Sequence, residues 1–247
     1  MASVGQTRAD SVLARSAWMQ IIPVIAGLGG FGLYATWRAF EGAYYQWGPY
    51  LSPFYSPLID AHHHYWPLSP ALLILGGPLS FRVTCYYYRK AYYRAFFLDP
   101  PGCGVAERSG RRYWGETKFP FILQNAHRYA LYLAVIFLAF LWHDAFRGFF
   151  FENGFGVGIG SIVLLVNIVL LTLYLFSCHS LRHLLGGRLD CFSCAKFGGT
   201  RHKTWRSTST LNEHHMLFAW LSLFSVGFAD FYVRLVSSGA ITDLRLL

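Results

Sequence analysis

The chain has 247 residues, of which 54% are hydrophobic and only 13% are charged, and its mean hydropathy is positive. It carries 8 Trp, 16 Tyr and 22 Phe. This composition is too apolar for an ordinary water-soluble domain and indicates an integral membrane protein. The polar residues 1–17 show no short apolar stretch that ends at a small-residue cleavage site, so we expect no signal peptide.

Five apolar runs are each long enough to cross the hydrocarbon core of a bilayer as a helix, which takes about 20 residues. The second run is the least regular, because its prolines and the pair Gly76-Gly77 would kink it. The pattern predicts an all-α membrane protein, with one transmembrane domain over residues 1–247 built as a bundle of five helices. In chain order the runs are residues 18–38, 66–88, 119–143, 156–181 and 211–233.

Positive charge is unevenly distributed between the predicted connections. If the five helices alternate in direction, the N-terminus, residues 89–118 and residues 182–210 share one side, and 17 of the 21 Lys and Arg lie there or in the helix ends entering it. The positive-inside rule predicts that this side, including the N-terminus, is cytoplasmic and that the chain crosses the plasma membrane several times. The basic surface can attract anionic lipid, or dock a soluble partner; no nucleic-acid partner is expected.

Histidine and cysteine side chains gather on the same predicted side. Cys191 and Cys194 form a Cys-x-x-Cys turn after the pair Gly186-Gly187, which would end the fourth helix. Two thiolates of such a turn can bind one ion, and histidines from the two flanking helices can complete a four-ligand set. These histidines are His179 and His183, which share one helix face, and His214 and His215, which begin the fifth helix.

Three interpretations compete for this turn. A disulfide is the least expected, because the cytoplasmic side is reducing. Structural zinc fits the ligand types and would only staple the loop. A Rieske-type [2Fe-2S] cluster, in which two histidines replace two cysteines on one iron, fits them equally. Residue types alone do not separate zinc from iron.

Other chemically notable residues have structural interpretations. Cys85 and Cys178 are expected to be small buried packing residues. Asp230 and Arg234 are four residues apart in the fifth helix and are expected to neutralise each other. His62, His63 and His64 fall in the first connection, on the predicted outer side, where we expect them to be solvated.

Four segments of the chain resemble the membrane-anchor subunit of actinobacterial succinate dehydrogenases. The similarity is good over residues 118–235, and the first third matches only by helix count. The segments are Lys-Phe-Pro-Phe-Ile-Leu-Gln-Asn-Ala-His-Arg-Tyr at residues 118–129, Cys-His-Ser-Leu-Arg-His at 178–183 continuing into Gly-Gly-Arg-Leu-Asp-Cys at 186–191, Asn-Glu-His-His-Met at 212–216 and Asp-Phe-Tyr-Val-Arg-Leu at 230–235.

This resemblance implies a respiratory complex II. In such a complex a flavoprotein oxidises succinate, an iron–sulfur subunit relays electrons, and the anchor holds both and passes electrons to menaquinone or ubiquinone. The resemblance leaves open whether the complex forms a higher oligomer. Mycobacterial relatives hold a membrane-embedded Rieske-type cluster, whereas better-known five-helix anchors hold two b haems on four histidines from four helices.

The two-haem alternative fits this sequence less well. Residues 18–38 contain no histidine, so one customary haem ligand is missing. An outer haem would need His143 with one of residues 62–64, and an inner haem would need two of the remaining histidines. The Cys-x-x-Cys turn would then have no role, which favours the cluster.

The leading hypothesis therefore assigns Cys191 and Cys194 to one iron of the cluster. His183 and His215 are the first choices for the other iron, because each lies nearest the cysteine turn along its helix, with His179 and His214 as substitutes. The candidates for the quinone pocket are Arg82, His127 and Arg128, which offer donors to a carbonyl that gains negative charge on reduction. Arg82 and Arg128 could equally place their charge at the interface only.

Two further classes of protein compete with a respiratory anchor. A small transporter would need polar groups midway through the membrane, and Asn167 is nearly the only such residue in the first, third and fourth predicted helices apart from hydroxyls and glycines. A zinc-stapled membrane scaffold would purify without partner subunits and without colour.

Overall fold

The computed structural model describes residues 4–59, 69–98, 117–119, 121–187, 189 and 191–247, with side chains from residue 17 onward and without that of residue 121. The described elements are almost all helical, and two short hairpins lie in the connections. The α-helices are α1 (Val4–Glu41), α2 (Pro70–Thr84), α3 (Tyr86–Tyr92), α4 (His127–Arg147), α5 (Ile159–Phe176), α6 (His179–Leu185), α7 (Gly198–Glu213) and α8 (His215–Ser237). Shorter elements are the strands β1 (Gln46–Trp47), β2 (Tyr50–Leu51), β3 (Phe150–Phe151) and β4 (Gly154–Phe155), 3-10 turns at Pro53–Tyr55 and Phe121–Ala126, and a π-turn at Tyr93–Phe97.

The chain divides into two compact units. Unit 1 comprises Met1–Tyr34 and Arg82–Ala126, and unit 2 comprises Ala35–Phe81 and His127–Leu247. Unit 1 therefore contains most of α1, the last residues of α2, and α3. Unit 2 contains α4 to α8 and both hairpins. The single domain predicted over residues 1–247 stays a prediction.

Unit 2 is organised around α5, which packs against α4 and α8. The core brings Ala145 near the end of α4, Leu164 in the first half of α5 and Ala229 near the end of α8 into one cluster. Helix α5 therefore runs antiparallel to both neighbours. Alanine at two of these positions lets the helices approach closely, as is common between helices in membranes.

Among the described residues, four helices are long and apolar enough to cross a membrane: Ala17–Glu41, Ile122–Arg147, Ile159–Phe176 and His215–Ser237. Many of their large apolar side chains face outward, among them Leu33, Phe140 and Phe224. Such an outward apolar surface suits lipid as the surrounding solvent. These helices confirm that the protein is an all-helical membrane protein.

The second predicted span, residues 66–88, differs from the structure. Helix α2 has only 15 residues and contains Pro78, and the chain leaves helical geometry at Cys85 before α3 begins. A methyl group at Gly77 would overlap the ring of Phe137 in α4, so this glycine is needed for close packing. Residues 66–68 lie outside the described residues.

The boundaries of the fourth and fifth predicted spans also change. Helix α5 ends at Phe176, and the chain breaks at Ser177 and Cys178 before α6. The break is stabilised because the Ser177 carbonyl accepts a hydrogen bond from Asn212 Nδ2 at 2.6 Å. The predicted loop 182–210 contains most of α7, a polar helix that apolar runs do not detect. His214 separates α7 from α8.

A buried ion network connects α8 to the end of α1. Arg234, 3% exposed, donates to Asp230 Oδ2 at 2.9 Å, as the spacing predicts. Its Nη1 also donates to Glu41 Oε2 at 2.7 Å, and Ser52 donates to the other oxygen of Asp230. The network holds the connection after α1 against α8. The buried charges of Arg234 and Asp230 are each paired with an opposite charge.

We expect Arg234→Met to destabilise the protein strongly, because Asp230 would keep a buried charge without its partner. The loss should be about 3–5 kcal/mol in free energy of unfolding, measured by denaturant titration in detergent. The double variant Asp230→Leu/Arg234→Met should recover much of this loss. Arg147→Met, at an exposed arginine, is the control and should leave stability nearly unchanged. An equal loss in the single and double variants would contradict this account.

Candidate functional site

The structure joins Cys191 and Cys194 in a disulfide, the interpretation of this turn that the sequence made least expected. The assignment of these cysteines to a metal ion stays a prediction. The turn between them places the two Cα atoms 5.4 Å apart, within the range that a disulfide requires. The amide of Cys194 also donates to the sulfur of Cys191 at 3.2 Å, and the Ser193 hydroxyl lies 3.1 Å from the same sulfur. Local geometry therefore favours close approach of the two sulfurs.

The turn is fixed by Phe192. Its ring packs against His202 and Trp205 of α7, with centroids 5.0 and 5.8 Å away. A methyl group at Gly186 would overlap Phe192 and Trp205, and one at Gly198 would overlap the Phe192 carbonyl. The two glycines therefore allow the turn to lie close against α6 and α7.

The predicted histidine ligands do not converge on this turn. His179 is exposed, and His215 bonds to Ser177 at the end of α5. His183 lies against Gly187, where a methyl group would overlap it. The Nδ1 atom of His183 is buried with no hydrogen-bond partner among the described residues. Within the described part of the chain, no three His, Cys, Asp or Glu side chains lie close enough to share one metal ion.

A different histidine–cysteine pair is buried in unit 2. His127 Nε2, at the start of α4, lies 3.3 Å from Cys178 Sγ, which follows the end of α5. His127 is 4% exposed and Cys178 is 1% exposed. The His127 ring stacks on Phe81 with centroids 4.8 Å apart. An imidazole and a thiol thus meet in an apolar setting at the junction of two helices.

His215 lies next to this pair. The Ser177 hydroxyl donates to the Tyr174 carbonyl at 2.9 Å and lies 2.7 Å from His215 Nδ1. The His215 ring also stacks on Tyr174 and is close enough to His127 for electrostatic interaction.

The burial of Cys85 and Cys178 confirms the prediction that they are small buried residues, but sequence reasoning did not predict the contact of Cys178 with His127. A signal for this contact was the position of Cys178. It stands directly before the His-Ser-Leu-Arg-His segment, at a point where the chain leaves the helix and can expose a side chain to its neighbours.

Unit 1 contains a separate polar cluster at the break between α2 and α3. Arg82 donates to the Tyr88 hydroxyl at 2.7 Å. Gln124 Nε2 donates to the Val83 carbonyl at 3.2 Å and to the Tyr92 hydroxyl at 3.0 Å. Burial raises the pKa of Tyr92, so its phenol stays protonated at neutral pH.

The three predicted quinone residues fall in different units. Arg82 belongs to unit 1, where it bonds to Tyr88, whereas His127 and half-buried Arg128 begin α4 in unit 2. The surroundings of Arg82 are therefore described within unit 1, and those of His127 and Arg128 within unit 2. Gln124, which sequence reasoning did not select, is buried and polar in the same unit as Arg82.

The outer ligands of the two-haem alternative have no buried pair in the described chain. The His143 side chain is 65% exposed and bonds to Asp144 Oδ1 at 3.1 Å. Ser56 donates to the other oxygen of Asp144 at 2.6 Å. The other candidates, His62, His63 and His64, lie outside the described residues.

These features define a class of protein, namely an all-helical integral membrane protein with imidazole and thiol groups buried at helix junctions. A family model for actinobacterial succinate dehydrogenase subunit SdhC matches residues 19–239. A solved structure described as the Mycobacterium smegmatis Sdh1 complex in the apo form contains a chain 43% identical to this one, with a TM-score of 0.85. The match covers 94% of this chain and 92% of that chain. No curated protein matched the chain.

The chain therefore belongs to the actinobacterial SdhC family and is a membrane subunit of a succinate dehydrogenase complex. This confirms the resemblance found in the sequence. The match also covers the first third of the chain, where only the helix count had agreed.

The four described cysteines should react in two groups. In the complex treated with an iron chelator and a mild reductant, a maleimide should modify Cys191 and Cys194, which are joined and partly exposed. Cys85 and Cys178, which are buried, should react only after denaturation. Peptide mass spectrometry with and without reductant measures this. If Cys191 and Cys194 become reactive only when iron is removed, they are metal ligands rather than a disulfide.

Proposed function

We propose that this chain anchors the flavoprotein and iron–sulfur subunits of succinate dehydrogenase to the plasma membrane and passes their electrons to menaquinone or ubiquinone. Membership of the SdhC family carries this proposal. Five crossings, with α2 as the short second one, would place the N-terminus and α7 on the cytoplasmic side. The excess of Lys and Arg on that side supports this orientation.

Helix α7 supports a docking role for the cytoplasmic face. It is polar and contains the exposed cations Lys203 and Arg206, while its acidic residue Glu213 is at the far end. Arg182 of α6 lies over the Trp205 ring and donates to Ser209 at 2.7 Å, which fixes α7 beside α6. A fixed basic helix can steer an acidic surface of the iron–sulfur subunit toward the membrane.

We further propose that the redox group is a Rieske-type [2Fe-2S] cluster, as the sequence suggested. When bound, it would carry one electron at a potential raised by its imidazole ligands. Such a cluster needs two cysteines and two histidines, and the described residues do not gather a complete set. We therefore assign no reaction step to it, and its ligands have to be found by experiment.

The cysteine turn stays the first candidate, because a Rieske-type cluster needs two cysteines and the buried junction has one among the described residues, Cys178. At the junction, His215 Nδ1 lies 2.7 Å from the Ser177 hydroxyl, the kind of contact that orients a metal-bound histidine. His127 and Cys178 already lie in contact. For the turn, Cys191 and Cys194 with His183, and with His179 as substitute, stay the first hypothesis from the sequence. The buried Nδ1 of His183 is its best structural support.

The quinone is expected to bind where donors can meet its carbonyls. Reduction adds two electrons and two protons to the ring, and negative charge builds up on its oxygens. Arg82 in unit 1, or His127 and Arg128 in unit 2, would stabilise this charge by donating hydrogen bonds. Succinate oxidation in the partner subunits releases two electrons and two protons, which balances the reaction. The chain itself needs to position the quinone and admit protons.

Serine substitution at each of the five cysteines should locate the cluster. Because the cluster needs two cysteines, we expect the double variant Cys191→Ser/Cys194→Ser to abolish quinone reduction and the reduced-cluster EPR signal, while succinate oxidation by a soluble dye continues. Cys178→Ser should keep both signal and activity. The opposite pattern would move the cluster to the junction of His127 and Cys178, and zinc without iron would leave only the anchoring role.

His143→Ala separates the cluster from the two-haem alternative. Because this side chain is exposed and bonded to Asp144, its removal should leave quinone reduction within about twofold of wild type. The optical spectrum of the dithionite-reduced complex should show no haem α-band. A haem band that weakens in His143→Ala would support two haems instead.

A further inference from the structure

Gln124 carries a buried acceptor with unused hydrogen-bonding capacity. The residue is 2% exposed, and its Oε1 has no hydrogen-bond partner among the described residues. An unsatisfied buried acceptor destabilises the folded chain, so such an atom indicates a missing donor. The sequence shows only that a glutamine stands near the start of an apolar run.

The orientation of the Gln124 amide is fixed by its nitrogen. Both hydrogens of Nε2 are used, one on the Val83 carbonyl at 3.2 Å and one on the Tyr92 hydroxyl at 3.0 Å. Because α2 ends at Thr84, the Val83 carbonyl belongs to the last turn of a helix and needs such a donor. Rotating the amide by 180° would place Oε1 against this carbonyl, so the acceptor cannot exchange places with the nitrogen.

The phenol of Tyr92 cannot satisfy Oε1. It accepts from Gln124 Nε2, and its own proton points to the Val83 carbonyl at 3.4 Å. Burial raises its pKa, so the phenol stays neutral and keeps this arrangement at neutral pH. Among the described residues no donor therefore reaches Oε1, which leaves this acceptor available to a bound molecule or to water.

We propose that Gln124 Oε1 accepts a hydrogen bond from a hydroxyl group of the hydroquinone product. This inference rests on the proposed function and assigns a residue to it. A quinone carries two carbonyls that only accept hydrogen bonds, whereas the hydroquinone formed by adding two electrons and two protons carries two hydroxyls that donate. An acceptor held in place by Val83 and Tyr92 therefore recognises the reduced form in preference to the oxidised form.

The selectivity can be measured through product inhibition. In the purified complex, 2,3-dimethyl-1,4-naphthohydroquinone is used as inhibitor and the corresponding quinone as substrate. Gln124→Met keeps the chain length but removes the amide, and should raise the inhibition constant of the hydroquinone about fivefold, the effect of losing one neutral hydrogen bond. The KM for the quinone should change less than about twofold, since no hydrogen bond to a carbonyl is lost.

Two comparisons keep the result interpretable. Gln20→Met makes the same change at an exposed glutamine of α1 and should match wild type. In wild type, the dimethyl ether of the hydroquinone has no hydroxyl donor and should inhibit at least about fivefold more weakly than the hydroquinone itself. This second measurement needs no variant, so it tests the proposal even if Gln124→Met does not assemble.

The outcomes separate this inference from the proposed function. An unchanged inhibition constant in Gln124→Met would show that water satisfies Oε1 and would overturn the inference. An equal rise in the inhibition constant and in KM would show general loosening of the site and would also overturn it. A wild-type complex that reduces no quinone would instead contradict the proposed function.

Discussion

Much of unit 2 depends on one hydrogen bond, from Asn212 Nδ2 to the Ser177 carbonyl at 2.6 Å. The carbonyl has no helical partner because α5 stops at Phe176, and in an apolar environment such a group needs a partner within the protein. The partner comes from the end of α7, two residues before the break at His214. The bond thereby holds the start of α8 against the end of α5 and places His215 within reach of Ser177 and Tyr174.

The break between α2 and α3 in unit 1 follows the same physical rule. There the freed carbonyl belongs to Val83, and the donor is Gln124 Nε2. In both places a side-chain amide stabilises the broken helix and places polar atoms in an apolar region. The consequence differs, however, because Asn212 positions a histidine, whereas Gln124 keeps its own oxygen available for a ligand. Helix breaks in this chain are thus the places where reactive side chains can be accommodated.

The sequence predicted the long apolar helices and the Asp230–Arg234 pair, because apolar length and four-residue spacing are local properties. It did not predict the length of α2 or the presence of α7. Helix α2 ends where the chain leaves helical geometry at Cys85, within an apolar run, and α7 is too polar for a search based on apolar runs. At the turn of Cys191 and Cys194 a disulfide was the least expected interpretation because of the compartment, and the family resemblance favoured metal ligation. The predicted burial of Cys178 is confirmed, but its contact with His127 was not predicted, because it joins residues 51 positions apart.

The two kinds of buried polar group in this protein have different physical roles. Arg234 and Asp230 satisfy each other and their neighbours, so their contribution is to fold the connection after α1 against α8. Gln124 Oε1 and His183 Nδ1 are buried without a partner among the described residues, and each therefore costs stability. A chain gains nothing in folding from such atoms. Such unsatisfied atoms are understandable where a bound molecule supplies the missing hydrogen-bond partner. They are therefore better candidates for ligand contacts than polar atoms that already have partners within the chain.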